Sequence, residues 1–267
     1  MSHSLSHRHA LVTGSTAGIG LATAEGILRR GGTVTINGRD EQRLAQAAAG
    51  LRERLGEDID LRAVHADVGT AAGVAEVLAE VTDVDILVNG AATMIFTPDW
   101  TQITDDEWFQ TFETNLLAGI RLCRALLPGM IERGHGRIVF ISSDVAVDVT
   151  EPLSSYSVTK TAQLGLARGL AVATARTGVT VNTVLPGPTS GDGFSRMLEM
   201  DVAAGRATDL DDAGRKFVAA HRPNSLLGRP ATPEEVASMI LYLVSDESLA
   251  TNGAAVRVDG GTIRSIL

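Results

Sequence analysis

Short apolar and β-branched runs alternate with helical patterns along almost the whole chain. Hydrophobic periodicity predicts strands at 9–13, 33–36, 60–65, 85–88, 137–141, 179–185 and 254–258. Helices are predicted at about 20–30, 41–55, 73–81, 104–133 and 155–176, and a last helix is predicted to start near Pro233. The run 85–88 is continuously hydrophobic, as a parallel strand covered on both faces should be. The expected fold is therefore α/β: a doubly wound parallel sheet of about seven strands with helices on both faces.

No repeat, low-complexity tract or linker divides the 267 residues, of which 44% are hydrophobic, so we expect one domain over 1–267. The segment 187–229 is rich in Gly, Asp and Arg, and its pattern predicts irregular structure. It follows the sixth strand, at the carboxyl ends of the strands, where such sheets bind ligands. We expect 8–187 to form a cofactor-binding and catalytic core and 188–230 to form a substrate-binding loop or lid.

Charge and composition narrow the classes of partner. The formal net charge of −9 disfavours nucleic acid or an anionic membrane as the main partner. Cys123 is the one cysteine, so no intramolecular disulfide forms, which fits a reducing compartment. No apolar run reaches transmembrane length, and residues 1–9 lack the apolar segment of a signal peptide. We therefore expect a cytoplasmic protein.

Three histidines near the start, His3, His7 and His9, could bind a metal ion adventitiously. A frayed terminus explains them better, since chain ends are poorly ordered unless they are tied down. We predict no metal site.

A glycine-rich loop, Thr13-Gly14-Ser15-Thr16-Ala17-Gly18-Ile19-Gly20, separates the first strand from the first helix. Gly14 permits a tight turn, Gly18 lets the backbone approach a pyrophosphate, and Gly20 lets the helix pack close to the sheet. The spacing differs from the usual dinucleotide motif, and a turn without a ligand is the alternative. The strand before it and the helix after it favour a Rossmann-type dinucleotide site that includes Ser15, Thr16 and Ile19.

The end of the second strand, Ile36-Asn37-Gly38-Arg39, bears on the choice of cofactor. NAD enzymes commonly place a carboxylate there for the ribose hydroxyls, and none is present. Arg39 could instead pair with a 2′-phosphate, the alternative being a solvated surface charge. Asp40 is better explained as the N-cap of the next helix. The pattern favours NADP over NAD.

Tyr156 and Lys160 lie four residues apart in a predicted helix, so they share one face. A phenol with a pKa near 10 is a poor base at neutral pH. A nearby ammonium group, helped by an oxidised nicotinamide, favours the phenolate. The pair therefore predicts a proton-transferring tyrosine, with an ordinary amphipathic pair as the alternative.

Together these residues resemble the classical branch of the short-chain dehydrogenase/reductase family from about 8 to 261. The glycine loop matches the family motif, and Ser143 precedes Tyr156 by the family's usual interval of thirteen residues. The further matching positions are Asp67 and Val68, whose acid binds the adenine ring in the family; Asn89, Gly90 and Ala91 after the fourth strand; Asn115 in the long helix; and Pro186 and Gly187, the nicotinamide-facing turn.

The resemblance implies a hydride transfer between a nicotinamide cofactor and a carbonyl or secondary alcohol. Tyr156 would exchange a proton with the substrate oxygen, and Ser143 would hydrogen-bond the same oxygen, with Ser142 as its rival. Lys160 would lower the tyrosine pKa and bind the nicotinamide ribose. Asn115 would hold a water that links Lys160 to bulk solvent.

Two positions depart from the family pattern. Gly90 and Ala92 stand where the family has its second Asn and its Gly, so a side chain that helps hold the central strands is missing. Gly191 stands where the family often has a hydroxyl residue against the nicotinamide carboxamide. Thr189 or Ser190 could replace it, and we count Thr189 among the predicted cofactor residues.

Proteins of this fold can have other functions, and the sequence bears on each of them. A nucleotide sensor or scaffold needs only the glycine loop, whereas this chain also has Asn115, Ser143, Tyr156 and Lys160. A sugar epimerase or dehydratase usually carries a larger C-terminal domain, and an enoyl reductase usually spaces Tyr and Lys more widely. We expect a small-molecule carbonyl or alcohol substrate, and a homotetramer or at least a homodimer, because the helices around 104–133 and 155–176 are apolar on more than one face.

Overall fold

A seven-stranded parallel sheet forms the centre of the protein. The computed structural model describes residues 4–81 and 83–266, with the backbone alone at 192–193. The strand order is β3-β2-β1-β4-β5-β6-β7, and all neighbouring strands run parallel. The strands are β1 His9–Thr13, β2 Thr33–Gly38, β3 Leu61–His65, β4 Ile86–Asn89, β5 Gly136–Ile141, β6 Val179–Pro186 and β7 Ala255–Val258. The predicted α/β class is confirmed.

Helices cover both faces of the sheet. They are α1 Gly18–Leu28, α2 Glu41–Leu55, α3 Ala71–Glu80, α4 Asp105–Phe112, α5 Ala118–Glu132, α6 Ser154–Ala173, α7 Asp192–Ala203, α8 Leu210–His221 and α9 Pro233–Leu243. Side chains cap several of them. Asp40 accepts a hydrogen bond from the main-chain N of Arg43 at 2.9 Å, as predicted, and Pro233 occupies the first turn of α9 behind a Thr232 capping box.

Two apolar layers form because side chains alternate between the faces of a strand. Val12, Val88 and Ile141 point to the layer that α1, α2 and α9 cover. Leu11 and Phe140 point to the opposite layer, which α3, α5 and α6 cover. The strand order reverses between β1 and β4, so the helices that follow these two strands diverge. A crevice opens there at the carboxyl ends of the strands, the usual ligand site of such sheets.

The predicted long helix at 104–133 is interrupted. A π-helical turn, Glu113–Leu117, separates α4 from α5, and Thr104 caps α4. The main-chain carbonyl of Asn115, inside this turn, accepts a hydrogen bond from the Gln163 side chain at 2.6 Å. A π-helical turn adds one residue to a helix and changes the spacing of its apolar residues only slightly, so the sequence pattern does not reveal it. Such turns are frequent at functional sites.

The prediction of irregular structure over 187–229 was wrong, because this segment contains α7 and α8. Leu198 and Ala213 are buried between these helices, and Phe194 and Phe217 meet edge to face with ring centroids 4.8 Å apart. Asp209 caps α8 by accepting a hydrogen bond from the main-chain N of Asp212. The many Asp, Gly and Arg residues conceal an amphipathic pair of helices that buries its apolar side locally. We call α7 and α8 the lid helices.

Candidate active site

The glycine loop closes over the carboxyl end of β4. Gly14 and Gly18 have φ angles of 63° and 55°, which favour glycine. A Cβ on Gly14 would lie 2.7 Å from the main chain of Gly90 and Ala91, and one on Gly20 would overlap the carbonyl of Gly14. The backbones therefore pack at distances that only glycine permits, and the start of α1 is left open for an anion.

A cavity of about 400 Å³ lies beside this loop, within the volume range of ligand sites. It brings together residues from the ends of β1, β2, β3 and β4 that the sequence analysis assigned to a dinucleotide. The lining residues are Gly14, Thr16, Asn37, Gly38, Arg39, Asp40, Arg43, Ala66, Asp67, Val68, Gly90, Ala91, Ala92 and Thr114. Its size, its cationic edge at Arg39 and the glycine backbones fit the adenosine half of a nicotinamide dinucleotide.

Two predicted cofactor residues turn their side chains away from this cavity. The Ser15 hydroxyl is buried, donates to the Val12 carbonyl at 2.6 Å and accepts from the Asn37 main-chain N at 2.9 Å. The Asn89 side chain is buried towards Gly119 of α5. Ser15 thus joins β1 to β2, and only the main-chain atoms of these two residues are left for a cofactor.

The glycine at position 90 is compensated within the structure. A Cβ there would lie 2.7 Å from the carbonyl oxygen of Thr13 and 3.2 Å from Ile141. The Thr13 hydroxyl accepts hydrogen bonds from the main-chain N of Gly90 and of Ala91 at 3.2 and 3.3 Å. The Thr13 side chain therefore fixes the segment that a side chain at 90 helps to hold in the family pattern.

A second cavity of about 300 Å³ connects the glycine loop to the lid helices. It is lined by Ala17, Gly18, Ile19, Arg43, Thr189, Ser190, Gly191 and Phe194. Thr189 donates to the Gly187 carbonyl at 2.9 Å, and Ser190 donates to the Ala231 carbonyl at 3.2 Å. Thr189 and Ser190 thus both line the cavity beside Gly191, and each hydroxyl is bonded to a main-chain carbonyl.

Tyr156 and Lys160 lie together on α6. The Lys160 Nζ is 5.4 Å from the centroid of the Tyr156 ring and donates to the Ile141 carbonyl at 2.7 Å. Burial lowers the pKa of Lys160 to about 7. Burial also raises the pKa of Tyr156 to about 12, although a hydrogen bond with Ser143 opposes the rise and the charge of Asp144 adds to it. In the protein without cofactor, burial therefore favours the neutral form of both side chains, the phenol of Tyr156 and the amine of Lys160.

Ser143 and Ser142 have different surroundings. The Ser142 hydroxyl is buried and donates to the main-chain carbonyl of Lys160 at 2.8 Å, which ties β5 to α6. Ser143 is half-buried, lies close enough to Tyr156 to lower the pKa of the phenol, and donates to the Asp144 carboxylate at 3.0 Å. The geometry thus brings Ser143, not Ser142, to the phenol.

Asn115 is held by three side-chain hydrogen bonds. Its Oδ1 accepts from the main-chain N of Thr93 at 2.7 Å, and its Nδ2 donates to the Thr93 carbonyl and the Thr159 hydroxyl, both at 2.9 Å. The side chain thus joins the segment after β4 to the helix that carries Tyr156. Gln163, on that same helix, donates a hydrogen bond to the main-chain carbonyl of Asn115. Sequence reasoning did not single out Gln163, although its position three residues after Lys160 places it on the same face.

A second contact was also absent from the sequence analysis. Arg222, at the end of α8, donates from Nε to the Asp144 carboxylate at 2.8 Å. The side chains are 15% and 5% exposed, so this ion pair is shielded from solvent. It joins the lid helices to the residue that follows Ser143.

The described residues form neither a metal-binding cluster nor a membrane-spanning helix. No group of three or more His, Cys, Asp or Glu residues within 4–81 and 83–266 could hold a metal ion. His3 lies outside the described residues. None of the helices in that part of the chain has the length and apolarity that crossing a membrane requires.

Comparisons with known proteins agree on one family. The sequence model of a family described as Enoyl-(Acyl carrier protein) reductase matches residues 14–262. The uncharacterized oxidoreductase YvaG of Bacillus subtilis (strain 168) is 41% identical, over 100% of both chains. Human dehydrogenase/reductase SDR family member 4 is 32% identical, over 97% of this chain and 88% of that protein.

A solved structure gives the same result. L-Sorbose reductase from Gluconobacter frateurii, complexed with NADPH and L-sorbose, matches with a TM-score of 0.91 and 31% identity over 100% of both chains. The fold, the dinucleotide cavity and these relatives together identify the family and the class of enzyme. The chain belongs to the short-chain dehydrogenase/reductase family and is an NAD(P)-dependent oxidoreductase that acts on CH–OH and C=O groups.

Proposed function

We propose that the protein is an NADP(H)-preferring enzyme that interconverts a carbonyl and a secondary alcohol, with Tyr156 as the proton donor and acceptor. The observation that carries this proposal is the cluster of Tyr156, Ser143 and Lys160 beside the dinucleotide cavity. Its distances and hydrogen bonds match what acid–base catalysis at a carbonyl oxygen requires.

The reduction consists of two transfers. A dihydronicotinamide held in the two cavities would supply the hydride, which carries two electrons and one hydrogen nucleus, to the carbonyl carbon. Tyr156 gives its phenolic proton to the carbonyl oxygen, which becomes a hydroxyl, and recovers a proton from solvent. In the oxidation direction, the phenolate accepts the hydroxyl proton. Ser143, half-buried beside the phenol, stabilises the charge that develops on the substrate oxygen.

Lys160 assists because it is the cation beside the phenol. Its pKa of about 7 keeps it partly charged at neutral pH, and its ammonium group favours the phenolate. The Ile141 carbonyl fixes its position. We assign it also to the nicotinamide ribose. Asn115 joins the segment after β4 to α6 and so keeps the Tyr156 helix in register with the cofactor site.

The remaining cofactor contacts follow the two cavities. We propose that Gly14, Thr16, Asp67, Val68, Gly90 and Ala91 surround the adenosine, and that Gly18, Ile19 and Thr189 border the pyrophosphate and nicotinamide amide. Pro186 and Gly187, at the end of β6, would back the nicotinamide. The cofactor is proposed to be NADP, because Arg39 lines the adenosine cavity and no carboxylate ends β2. The Asp40 carboxylate already caps α2 through one oxygen.

The proposal includes the state of the protein in the cell. We propose a homotetramer, or at least a homodimer, supported by the exposure of apolar side chains such as Val158 and Val172 on α6. A cytoplasmic location is supported by Cys123, which is free and buried. Residues 8–187 would act as the catalytic core and 188–230 as the substrate lid of one domain.

The test follows NADPH absorbance with a panel of ketones, sugars, acyl thioesters and steroids. We expect oxidation of NADPH that depends on one class of carbonyl, and the reverse reaction with the corresponding alcohol. An epimerase or dehydratase would convert substrate without a net change in the cofactor. A chain that bound neither NADPH nor NADH would contradict the proposal.

A further inference from the structure

Asp144 sits between the proposed catalytic serine and the lid helices. Its Oδ1 accepts hydrogen bonds from the Ser143 hydroxyl at 3.0 Å and from the Val145 main-chain N at 2.9 Å. Its Oδ2 accepts from Arg222 Nε at 2.8 Å. One carboxylate oxygen thus faces the serine and the other faces a cation that is 78 residues away in the sequence.

This arrangement determines which way the serine hydroxyl points. While the Ser143 hydrogen is donated to Asp144, it is not available to the phenolate of Tyr156 or to a substrate oxygen. To donate to a substrate oxygen, the Ser143 hydrogen must leave the carboxylate. A hydrogen bond to a carboxylate is stronger when its charge is not shared, and the Arg222 guanidinium takes part of that charge.

We propose that Arg222 is a positioning residue that neutralises Asp144 when the lid helices are in place and so frees the Ser143 hydroxyl for the substrate oxygen. The placement of α8 is thereby coupled to the competence of the catalytic serine. This inference rests on the proposed roles of Ser143 and Tyr156.

The other charged groups near Tyr156 have partners elsewhere or are solvated. Its own helix contributes Lys160. On the elements packed against α6, Glu107 bonds Thr104 in a capping box, and Glu113 pairs with Arg121. The remaining carboxylates on these elements, Asp105, Asp106 and Glu151, are exposed. His221, beside Arg222, stacks against Phe217 with centroids 4.5 Å apart. Asp144 and Arg222 therefore form the shielded pair that can act on the phenol.

The proposal predicts effects of opposite sign from the two halves of the pair. The negative charge of Asp144 raises the pKa of Tyr156. Arg222→Gln removes the neutralising cation and should raise that pKa further, whereas Asp144→Asn removes the anion and should lower it. A contact that merely fastened the lid would respond alike to both substitutions.

The chain allows a direct measurement, since Tyr242 is its only other tyrosine. In a Tyr242→Phe background, the ultraviolet absorbance of the phenolate reports Tyr156 alone, with and without NADP⁺. We expect shifts of about one pH unit, upward for Arg222→Gln and downward for Asp144→Asn. The acidic limb of the kcat profile for alcohol oxidation should move in the same directions.

Three further variants serve as controls. Arg222→Lys keeps a cation and should restore most of the wild-type profile. Arg206→Gln breaks an exposed lid ion pair with Asp201 and should shift nothing. The double variant Asp144→Asn/Arg222→Gln should lie near wild type. If Arg222→Gln alone does not fold, Asp144→Asn and the double variant still carry the test.

The results that would overturn the role of Arg222 differ from the result that would overturn the proposed function. Shifts of the same sign, or none, would overturn the inference. A rise in KM confined to anionic substrates, without a shift of Tyr156, would make Arg222 a substrate-binding residue and also overturn it. If Tyr156→Phe retained full turnover, the proposed function itself would fail, whatever Arg222 did.

Discussion

The Gln163 amide donates to the main-chain carbonyl of Asn115 at 2.6 Å and so fastens the π-helical turn to the helix that carries Tyr156. Both residues are buried, so this hydrogen bond is shielded from solvent. The water-holding role that the family resemblance implies for Asn115 would operate beside Gln163, and we expect the stability of the turn to depend on that amide.

Replacing Gln163 with leucine tests this dependence. The variant removes the side-chain hydrogen bond to a buried carbonyl, so the free energy of unfolding should fall by about 1–3 kcal/mol. Gln46→Leu is the matched control, because Gln46 is exposed on α2, and surface changes usually stay within about 0.5 kcal/mol. Denaturant unfolding of both variants gives the comparison. Equal losses would show that the Gln163 bond adds nothing to stability.

The burial of Lys160 predicts a pH-dependent stability. Its folded pKa is lowered to about 7, whereas a lysine in an unfolded chain has a pKa of about 10.4. Between these values the unfolded chain binds the proton and the folded chain does not, so this contribution to stability rises with pH. It is fully present above about pH 10 and is lost as the pH falls through 7.

The comparison of Lys160→Met with wild type isolates this contribution. From pH 7 to pH 9, in the absence of cofactor, wild type should gain free energy of unfolding relative to the variant. Lys216→Met is the control: Lys216 is the chain's other lysine and lies exposed on α8. A difference that stayed constant or fell with pH would be inconsistent with a neutral, buried Lys160.

The preference for NADP depends on Arg39. A charge-assisted hydrogen bond from a guanidinium to phosphate contributes about 1.5–3 kcal/mol, or roughly ten- to a hundredfold in affinity. Arg39→Leu should raise the Kd of NADPH by that factor and leave the Kd of NADH nearly unchanged. Arg62→Ala, exposed on β3 and outside the cavity lining, should change neither. Equal Kd values in wild type, or tighter NADH, would refute the role of Arg39.

The structure also refines how the preference can be reversed. A side chain at position 38 would overlap the methyl group of Thr16. Gly38→Asp with Arg39→Leu should therefore need Thr16→Ser, which removes that methyl group. We expect the triple variant to favour NADH in cofactor titrations and the double variant to bind both cofactors poorly. If the double variant bound NADH more tightly than wild type does, the Thr16 side chain would have moved to accommodate the new side chain at position 38.

Assembly can be tested at an apolar position on α6. Val172 is 64% exposed, and Met200 on α7 is similarly exposed at 62%. If α6 packs against a partner subunit, Val172→Glu should lower the mass measured by light scattering, and Met200→Glu should not. A wild-type protein that is a stable monomer at micromolar concentration would count against the proposed tetramer.

Sequence patterns located the strands well because buried parallel strands are short, apolar runs. β1 begins and ends at the predicted residues, and β5 and β7 each differ by one residue at one end. The lid helices were missed, although Asp209 before Asp211 and Asp212 was an available N-cap signal. Their apolar positions bury against each other and not against the sheet, and the many charged residues between those positions drew attention away from a clear amphipathic pattern in α8.

The site was predictable where spacing along one element determines geometry. Tyr156 and Lys160 meet because a helix brings i and i+4 together. The ion pair of Asp144 and Arg222 spans 78 residues, and no local pattern reports such a contact. Whether Ser15 and Asn89 face the cavity or the core likewise depended on the packing of β1 against β2 and of β4 against α5.

The turnover of Tyr156→Phe tests the central claim most directly. On whichever substrate the panel identifies, the variant should keep the fold and the wild-type Kd for NADPH, because only the phenolic oxygen is removed. Its kcat should fall by roughly 10²–10⁴, the usual contribution of general acid–base catalysis. Near-parental turnover with unchanged cofactor binding would contradict the assignment of proton transfer to Tyr156.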